Sequence, residues 1–260
     1  MASALIGGLL RQGLAATQIQ VLEPHAPARE ALQNHFGLTA LAEPGPSLGS
    51  AELVIWAVKP QIFHAAAQQV RPYIAGHALH LSVAAGMTTD SIARWLGNQN
   101  IVRAMPNTPA LVGQGMTGLF ARPQVDHAGR TLVEQVLLPT GQTLWLPQES
   151  QLDAVTALSG SGPAYVFLFL EAMERAGIEL GLTSEQAHQL AIATFQGAAA
   201  LAASSDEAPA VLRQRVTSPG GTTHAAITRM QAGQVTEHFI AAMHAAEQRA
   251  RELALEFGAA

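Results

Sequence analysis

The sequence predicts an α/β domain with a mostly parallel sheet, followed by an all-α domain. As far as residue 148, apolar runs of strand length alternate with helical patterns, and from residue 149 to residue 260 only helical patterns remain. Strands that alternate with helices indicate βαβ units, in which neighbouring strands pair in parallel. We therefore divide the chain into a domain of residues 1–148 and a domain of residues 149–260.

The elements of the first domain follow from short apolar runs that are bounded by Gly or Pro. Strands are expected at residues 18–22, 53–58, 78–83, 101–104 and 143–146, with a further segment at residues 115–121. Helical patterns lie between them, at residues 2–13, 27–36, 61–70, 91–96 and 128–138. This rhythm is typical of a Rossmann-like, dinucleotide-binding fold.

The helices of the second domain are expected at residues 149–158, 163–180, 184–203, 208–215, 220–231 and 235–257. Several of them are apolar around much of their circumference, as at residues 164–170. A helix that is apolar all round must be buried, and a domain of this size has little interior. We therefore expect this domain to pack against a second copy as a homodimer, with larger assemblies left open.

Composition excludes several classes of function. The net charge is −5 over 260 residues, so there is no basic surface to replace the counterions of nucleic acid. The chain has no cysteine, which excludes disulfides and thiolate nucleophiles and is compatible with a cytoplasmic protein. The first apolar stretch is too short to span a membrane, and the ten histidines lack the spacing of metal ligands, so we expect no membrane and no metal.

The opening of a dinucleotide-binding fold is not found. That fold normally begins with a strand and a G-x-G-x-x-G turn, whereas this chain begins with a helical pattern in which Gly7 and Gly8 lie too far along to form the turn. We therefore expect the first strand and its Gly-rich turn to be missing, which would expose interior edges of the sheet.

A ribose contact is predicted after the strand that ends at Leu22. The carboxylate of Glu23 would accept hydrogen bonds from a ribose diol, which favours NADH, and Arg29 leaves room for the 2′-phosphate of NADPH. The alternative interpretation of Glu23 is an acidic residue that precedes a helix.

Five short strings carry the most specific signal. The first three follow strand carboxyl ends, where open α/β sheets bind ligands, and the last two lie in the helical domain. They are AVKP at residues 57–60, VAAG at 83–86, VRAMPNTP at 102–109, LSGSGPAY at 158–165 and VTSPGGTT at 216–223. In this order and spacing they resemble the pyrroline-5-carboxylate reductase family over essentially the whole chain.

The resemblance implies a reaction in which NADP(H) or NAD(H) provides hydride for the C=N carbon of 1-pyrroline-5-carboxylate, giving L-proline. It also implies a substrate site at residues 218–223. There the Thr223 hydroxyl would hydrogen-bond the ring nitrogen, and Ser218 would lie beside the substrate carboxylate. The main chain of Gly221, Thr222 and Thr223 would bind that carboxylate. A plain helix N-cap is the alternative for this loop. The implied cofactor contacts are Ala57, Val58, Lys59, Pro60, Ala84, Ala85, Gly86, Asn107, Thr108 and Glu149, besides Glu23.

Two other functions stay open. A β-hydroxyacid-type dehydrogenase shares the two-domain layout, but it needs a catalytic lysine after the first domain, and the only lysine here is Lys59. An inactive remnant that only dimerises or binds partners would follow from the missing first strand, and we expect a protein made from Met1 to bind dinucleotide poorly.

Overall fold

The computed structural model describes residues 1–258 and places a mixed sheet first and helices after it. The described strands are β1 Leu53–Trp56, β2 Leu79–Ser82, β3 Ile101–Met105, β4 Gly115–Ala121 and β5 Gly141–Trp145. They form one sheet in the order β1-β2-β3-β4-β5. Only the β3–β4 pair is antiparallel, so the predicted mostly parallel sheet is confirmed.

The helices within residues 1–258 follow the expected periodicity closely. They are α1 Ala2–Arg11, α2 Ala26–Phe36, α3 Pro60–Val70, α4 Thr89–Leu96, α5 His127–Leu137, α6 Gln151–Val155, α7 Gly162–Glu179, α8 Ser184–Ala203, α9 Pro209–Arg215, α10 Thr222–Ala232 and α11 Val235–Gly258. Gly7 and Gly8 lie inside α1, as expected. None of these helices is long and apolar enough to cross a membrane.

The prediction of a strand at residues 18–22 is wrong. This stretch begins in a 3₁₀ turn, Ala16–Gln18, and then makes a single parallel bridge between Leu22 and Leu41. Leu41 accounts for both main-chain bonds there, because its N–H donates to Val21 and its carbonyl accepts from Glu23. A strand needs a continuous partner for its N–H and C=O groups, and one residue cannot provide a ladder.

Side chains alternate between the two faces of the sheet, and each face has its own core. Leu79 and Leu81 of β2 pack with Leu5 of α1 and with Leu137 of α5. The opposite core joins residues of α3 and α4, with Phe63 fully buried. His80 points away from the first core and accepts a hydrogen bond at Nδ1 from the indole Nε1–H of Trp56, at 3.1 Å.

Contacts divide the chain into two compact units. The first comprises Met1–Gly162 and also takes the end of α11 from Ala246, and the second is Pro163–Ala245. The predicted boundary between residues 148 and 149 follows the change from strands to helices, and it stays a prediction. Residues 149–162 and the end of α11 therefore help to build the α/β unit, although both are helical.

Candidate functional site

Three of the five strings lie at one edge of the sheet. Because β1, β2 and β3 are parallel neighbours, their carboxyl ends face the same way. Residues 57–60 follow β1, residues 83–86 follow β2, and Asn107 and Thr108 come after β3. This is the edge at which parallel α/β sheets bind ligands. In the second unit, the string at residues 216–223 begins just after α9 and runs into the first two residues of α10.

The turn after β2 fits a flat ligand that approaches the main chain. Its residues are small: Ala84 is buried, Ala85 is exposed, and Gly86 has φ of +73°, a conformation that favours glycine. The Ser82 hydroxyl accepts a hydrogen bond from the N–H of Ala84 at 3.3 Å. Gly86 is buried against Leu253, so Ala85 is the part of the turn that a dinucleotide could approach closely.

Asn107 shapes the end of β3 through both atoms of its amide group. Its Nδ2 donates to the Ser159 hydroxyl at 3.2 Å, and its Oδ1 accepts from the N–H of Met116 at 2.9 Å. Ser159 lies in a π-helical turn, Thr156–Gly160, which the sequence did not predict. The amide therefore joins the end of β3 to the start of β4 and to residue 159.

Glu23 directly follows the bridge at Leu22. Its carboxylate accepts a hydrogen bond from the N–H of His25 at 2.9 Å. Arg29 reaches back from α2 and donates to the carbonyl oxygens of Glu23 at 3.0 Å and Pro24 at 2.7 Å. The guanidinium thus stands beside the acidic residue, at the place where both were expected to select the dinucleotide.

A buried polar cluster lies behind the turn after β2, and sequence reasoning missed most of it. Glu149 accepts from the N–H of Thr89 at 2.7 Å and from its hydroxyl at 2.6 Å. The Arg103 guanidinium donates to the same carboxylate at 3.2 Å, and Arg103 is only 3% exposed. The available signal was an arginine inside the apolar strand Ile101–Met105, since a buried charge needs partners.

Asp153 completes the cluster on the other side of Arg103. Its Oδ1 lies 3.8 Å from the Arg103 guanidinium. Burial raises the pKa of the Asp153 carboxyl, while the charges of Arg103 and Arg251 lower it and those of Glu247 and Glu149 raise it. Of the two carboxylates beside Arg103, Glu149 is hydrogen-bonded to Thr89 and Asp153 is not.

The loop before α10 has the form of a helix N-terminus. Gly220 has φ of +74°, and the N–H of Gly221 donates to the carbonyl of Ser218 at 3.0 Å. α10 then begins at Thr222, whose N–H and that of Thr223 belong to the first turn, where donors have no acceptor inside the helix. Such groups form a carboxylate site without a cationic side chain.

Among residues 1–258, no group of three or more His, Asp or Glu side chains is arranged to hold a metal ion.

Comparison with known proteins identifies close relatives along the whole chain. Residues 149–253 match the family model for pyrroline-5-carboxylate reductase dimerisation, and residues 1–86 match the model described as NADP oxidoreductase, coenzyme F420-dependent. A pyrroline-5-carboxylate reductase of Pseudomonas aeruginosa is 45% identical over 259 residues, which cover 99% of this chain and 95% of that protein. The enzyme of that name from Haemophilus influenzae is 39% identical, over 97% and 94%.

Solved structures of similarly named proteins superpose on nearly the whole of this chain. A pyrroline-5-carboxylate reductase from Coxiella burnetii superposes with a TM-score of 0.89 at 38% identity, covering 97% of this chain and 94% of that one. The pyrroline carboxylate reductase of Plasmodium falciparum, solved with NADP bound, gives a TM-score of 0.83 at 26% identity, over 98% and 96%.

Proposed function

This chain belongs to the pyrroline-5-carboxylate reductase family, and from that membership we propose that it reduces 1-pyrroline-5-carboxylate to L-proline with NAD(P)H, the final step of proline biosynthesis. The structural observation that supports it is the shared edge at which residues 57–60, 83–86 and 107–108 follow three parallel strands. Membership in this family sets aside the β-hydroxyacid-type alternative.

The residues of this chain have to bind the cofactor and the substrate, orient them towards each other and exclude water. When bound, NAD(P)H supplies the hydride that the C=N carbon accepts. The reaction needs close and correct placement more than a strong acid, because a protonated imine already accepts hydride readily. We assign placement of the cofactor to Glu23, Ala57, Val58, Lys59, Pro60, Ala84, Ala85, Gly86, Asn107, Thr108 and Glu149.

The loop before α10 is the proposed substrate site. The main chain of Gly221, Thr222 and Thr223 would hold the substrate carboxylate, since the first N–H groups of α10 point out of the helix. In the free chain the Gly221 N–H donates to Ser218, which leaves those of Thr222 and Thr223 as the donors closest to the helix start. The Thr223 hydroxyl would bond the ring nitrogen, and Ser218 would stand beside the carboxylate.

The active form is a homodimer built through the helical part of the chain. Residues 149–253 match a dimerisation family, and the helices of the second unit carry large exposed apolar side chains such as Phe167, Leu168 and Leu190. We propose the cytoplasm as the compartment, because reduced nicotinamide dinucleotides are available there.

The test is a direct assay of the purified protein. It is mixed with 1-pyrroline-5-carboxylate and either NADPH or NADH, and the loss of reduced-nicotinamide absorbance is followed while proline is measured by amino-acid analysis. We expect proline in amounts equal to the dinucleotide consumed. If neither dinucleotide gave proline, the chain would fit the inactive, dimerising alternative instead.

A further inference from the structure

We propose that Thr89 is a positioning residue for the turn of residues 83–88, and that Glu149 and Arg103 hold it as a clamp across the two ends of this turn. The inference rests on the proposed function, because the turn includes Ala84, Ala85 and Gly86, which are assigned to the cofactor. Of the three residues of the clamp, only Glu149 is among those that the family resemblance assigns to the cofactor.

The first end of the turn is fixed through the sheet. β2 ends at Ser82, and Ser82 is paired in register with Arg103 of the neighbouring parallel strand β3. Both residues are buried: Ser82 is 0% and Arg103 is 3% exposed. The main chain that enters the turn therefore lies directly beside the strand residue that carries the guanidinium.

The second end of the turn is fixed by Glu149. α4 begins at Thr89, whose N–H is one of the donors that a helix N-terminus leaves unpaired. Glu149 accepts from this N–H at 2.7 Å and from the Thr89 hydroxyl at 2.6 Å, so one carboxylate takes both donors of the residue. A negative charge at this position is also favoured by the helix dipole.

Arg103 connects the two ends of the turn. Its guanidinium donates to the same Glu149 oxygen that accepts from the Thr89 N–H, at 3.2 Å. The path runs from Ser82 across the sheet to Arg103, then to Glu149 and back to Thr89. Between the two ends, Gly86 has positive φ and packs against Leu253, and Met87 is fully buried in the core, so the clamp acts together with these contacts to fix the shape of the turn.

Burial separates this role from direct contact with a ligand. Thr89 is 1% exposed, so its side chain has no surface to offer to a dinucleotide. An effect of Thr89 on cofactor binding would therefore be indirect, either through the main chain of the turn or through the position of Glu149. Glu149 is only partly buried, with 21% of its side chain exposed, so it could also touch the cofactor, as the family resemblance implies.

Four variants test the clamp, with one matched control. Glu149→Gln removes the charge, Thr89→Val removes only the hydroxyl at similar volume, and Thr89→Ser restores it. Asp153→Asn is the control, because Asp153 also lies beside Arg103 and the substitution removes the same charge, yet Asp153 makes no hydrogen bond to Thr89. Three quantities are measured: hydrogen exchange of the amides of residues 83–88 without ligand, the Kd for NADPH, and the melting temperature.

We expect Glu149→Gln and Thr89→Val to speed exchange in residues 83–88 relative to the amides of β2 and β3, and to raise the Kd for NADPH about tenfold. Thr89→Ser and Asp153→Asn should resemble the wild type in both. Equal losses of melting temperature for Glu149→Gln and Asp153→Asn, with exchange and Kd unchanged, would reduce the cluster to a structural role and overturn the proposal.

Weaker NADPH binding in Glu149→Gln alone, with Thr89→Val unaffected, would also overturn it, in favour of a direct ribose contact by Glu149. A wild-type protein that neither bound dinucleotide nor made proline would contradict the proposed function instead. The exchange measurement would still report on the clamp in that case, because it needs no ligand.

Discussion

Thr223 is the side chain on which the chemistry of the proposed substrate depends most. Removing its hydroxyl in Thr223→Ala takes away one hydrogen bond to the ring nitrogen and leaves the cofactor segments of the first unit unchanged. We expect turnover to fall about tenfold or more, with little change in the Kd for NADPH. Steady-state kinetics and dinucleotide titration measure the two effects separately.

Thr228→Ala is the matched control, since it makes the same substitution at an exposed position of the same helix. It should leave both quantities near the wild-type values. A Thr223 variant with weakened dinucleotide binding and normal turnover would contradict the role assigned to this hydroxyl.

His80 makes the stability of the first unit depend on pH. Burial lowers its pKa from 6.5 to about 4, and protonation at Nδ1 would also break the bond from Trp56. Below pH 6.5 the unfolded chain therefore binds a proton that the folded chain does not. The free energy of unfolding should fall as pH drops from 6.5 towards 4, by roughly 3 kcal/mol over this range from His80 alone.

The variant His80→Asn tests this dependence, because an amide can still accept from Trp56 but does not titrate. Urea unfolding is followed at several pH values and one fixed protein concentration, since dissociation of a dimer also affects the midpoint. We expect a flatter profile between pH 6.5 and 4 than in the wild type. Parallel profiles for the two proteins would show that His80 is not the titrating group.

The last turns of α11 are an element whose contribution can be measured by itself. Phe257 packs against the core that includes Phe63, and the carbonyl of Gly258 accepts hydrogen bonds from Ser91 at 3.2 Å and Arg94 at 3.0 Å. Phe257→Ala should lower the free energy of unfolding by about 2–4 kcal/mol, because it leaves a cavity at the contact.

Leu255→Ala is the control for this element, because Leu255 lies on the same helix and is 76% exposed. A surface truncation of this kind changes stability by about 0.5 kcal/mol or less. Melting curves of both variants, recorded at one concentration, compare the two faces of the helix end. Equal losses would contradict the docking of Phe257.

Elements with strong local signals could be predicted, and those that depend on distant partners could not. Residues 184–203 form a helix as expected, because Thr183 accepts from the N–H of Gln186 and the Gln186 side chain accepts in return. The strand at residues 18–22 had the right composition, but only Leu41 is available to pair with it. The π-helical turn Thr156–Gly160 gave no recognisable pattern in advance.

The same contrast applies to the site. Strings such as residues 57–60 and 83–86 could be placed at strand ends from periodicity alone, because parallel strands end at a common edge. The Glu149–Thr89 bond joins residues that are 60 positions apart, and no local spacing predicts it. The position of Arg103 in an apolar strand indicates that its charge needs partners, but the sequence does not show that these are Glu149 and Asp153.

For the whole molecule, dimerisation should depend on the exposed apolar surface of the second unit. Leu168 is 63% exposed on α7, in a segment that matches a dimerisation family. Leu168→Glu would place a charge in the contact, and we expect the dissociation constant of the dimer to rise about a hundredfold or more. Analytical ultracentrifugation over a range of concentrations measures this change.

Leu144→Glu is the corresponding control, because Leu144 is 50% exposed on β5 and lies before the dimerisation segment. It should sediment like the wild type. If Leu168→Glu remained dimeric at the concentrations where the wild type does, α7 would not be part of the contact.

The return of α11 to the first unit has a consequence for biosynthesis of the protein. Phe257 contributes to a core whose other members all lie before residue 102. During translation that core cannot be completed until Phe257 has left the ribosome. The helices of Pro163–Ala245 emerge earlier, so the first unit gains this last contact only after the whole second unit has been synthesised.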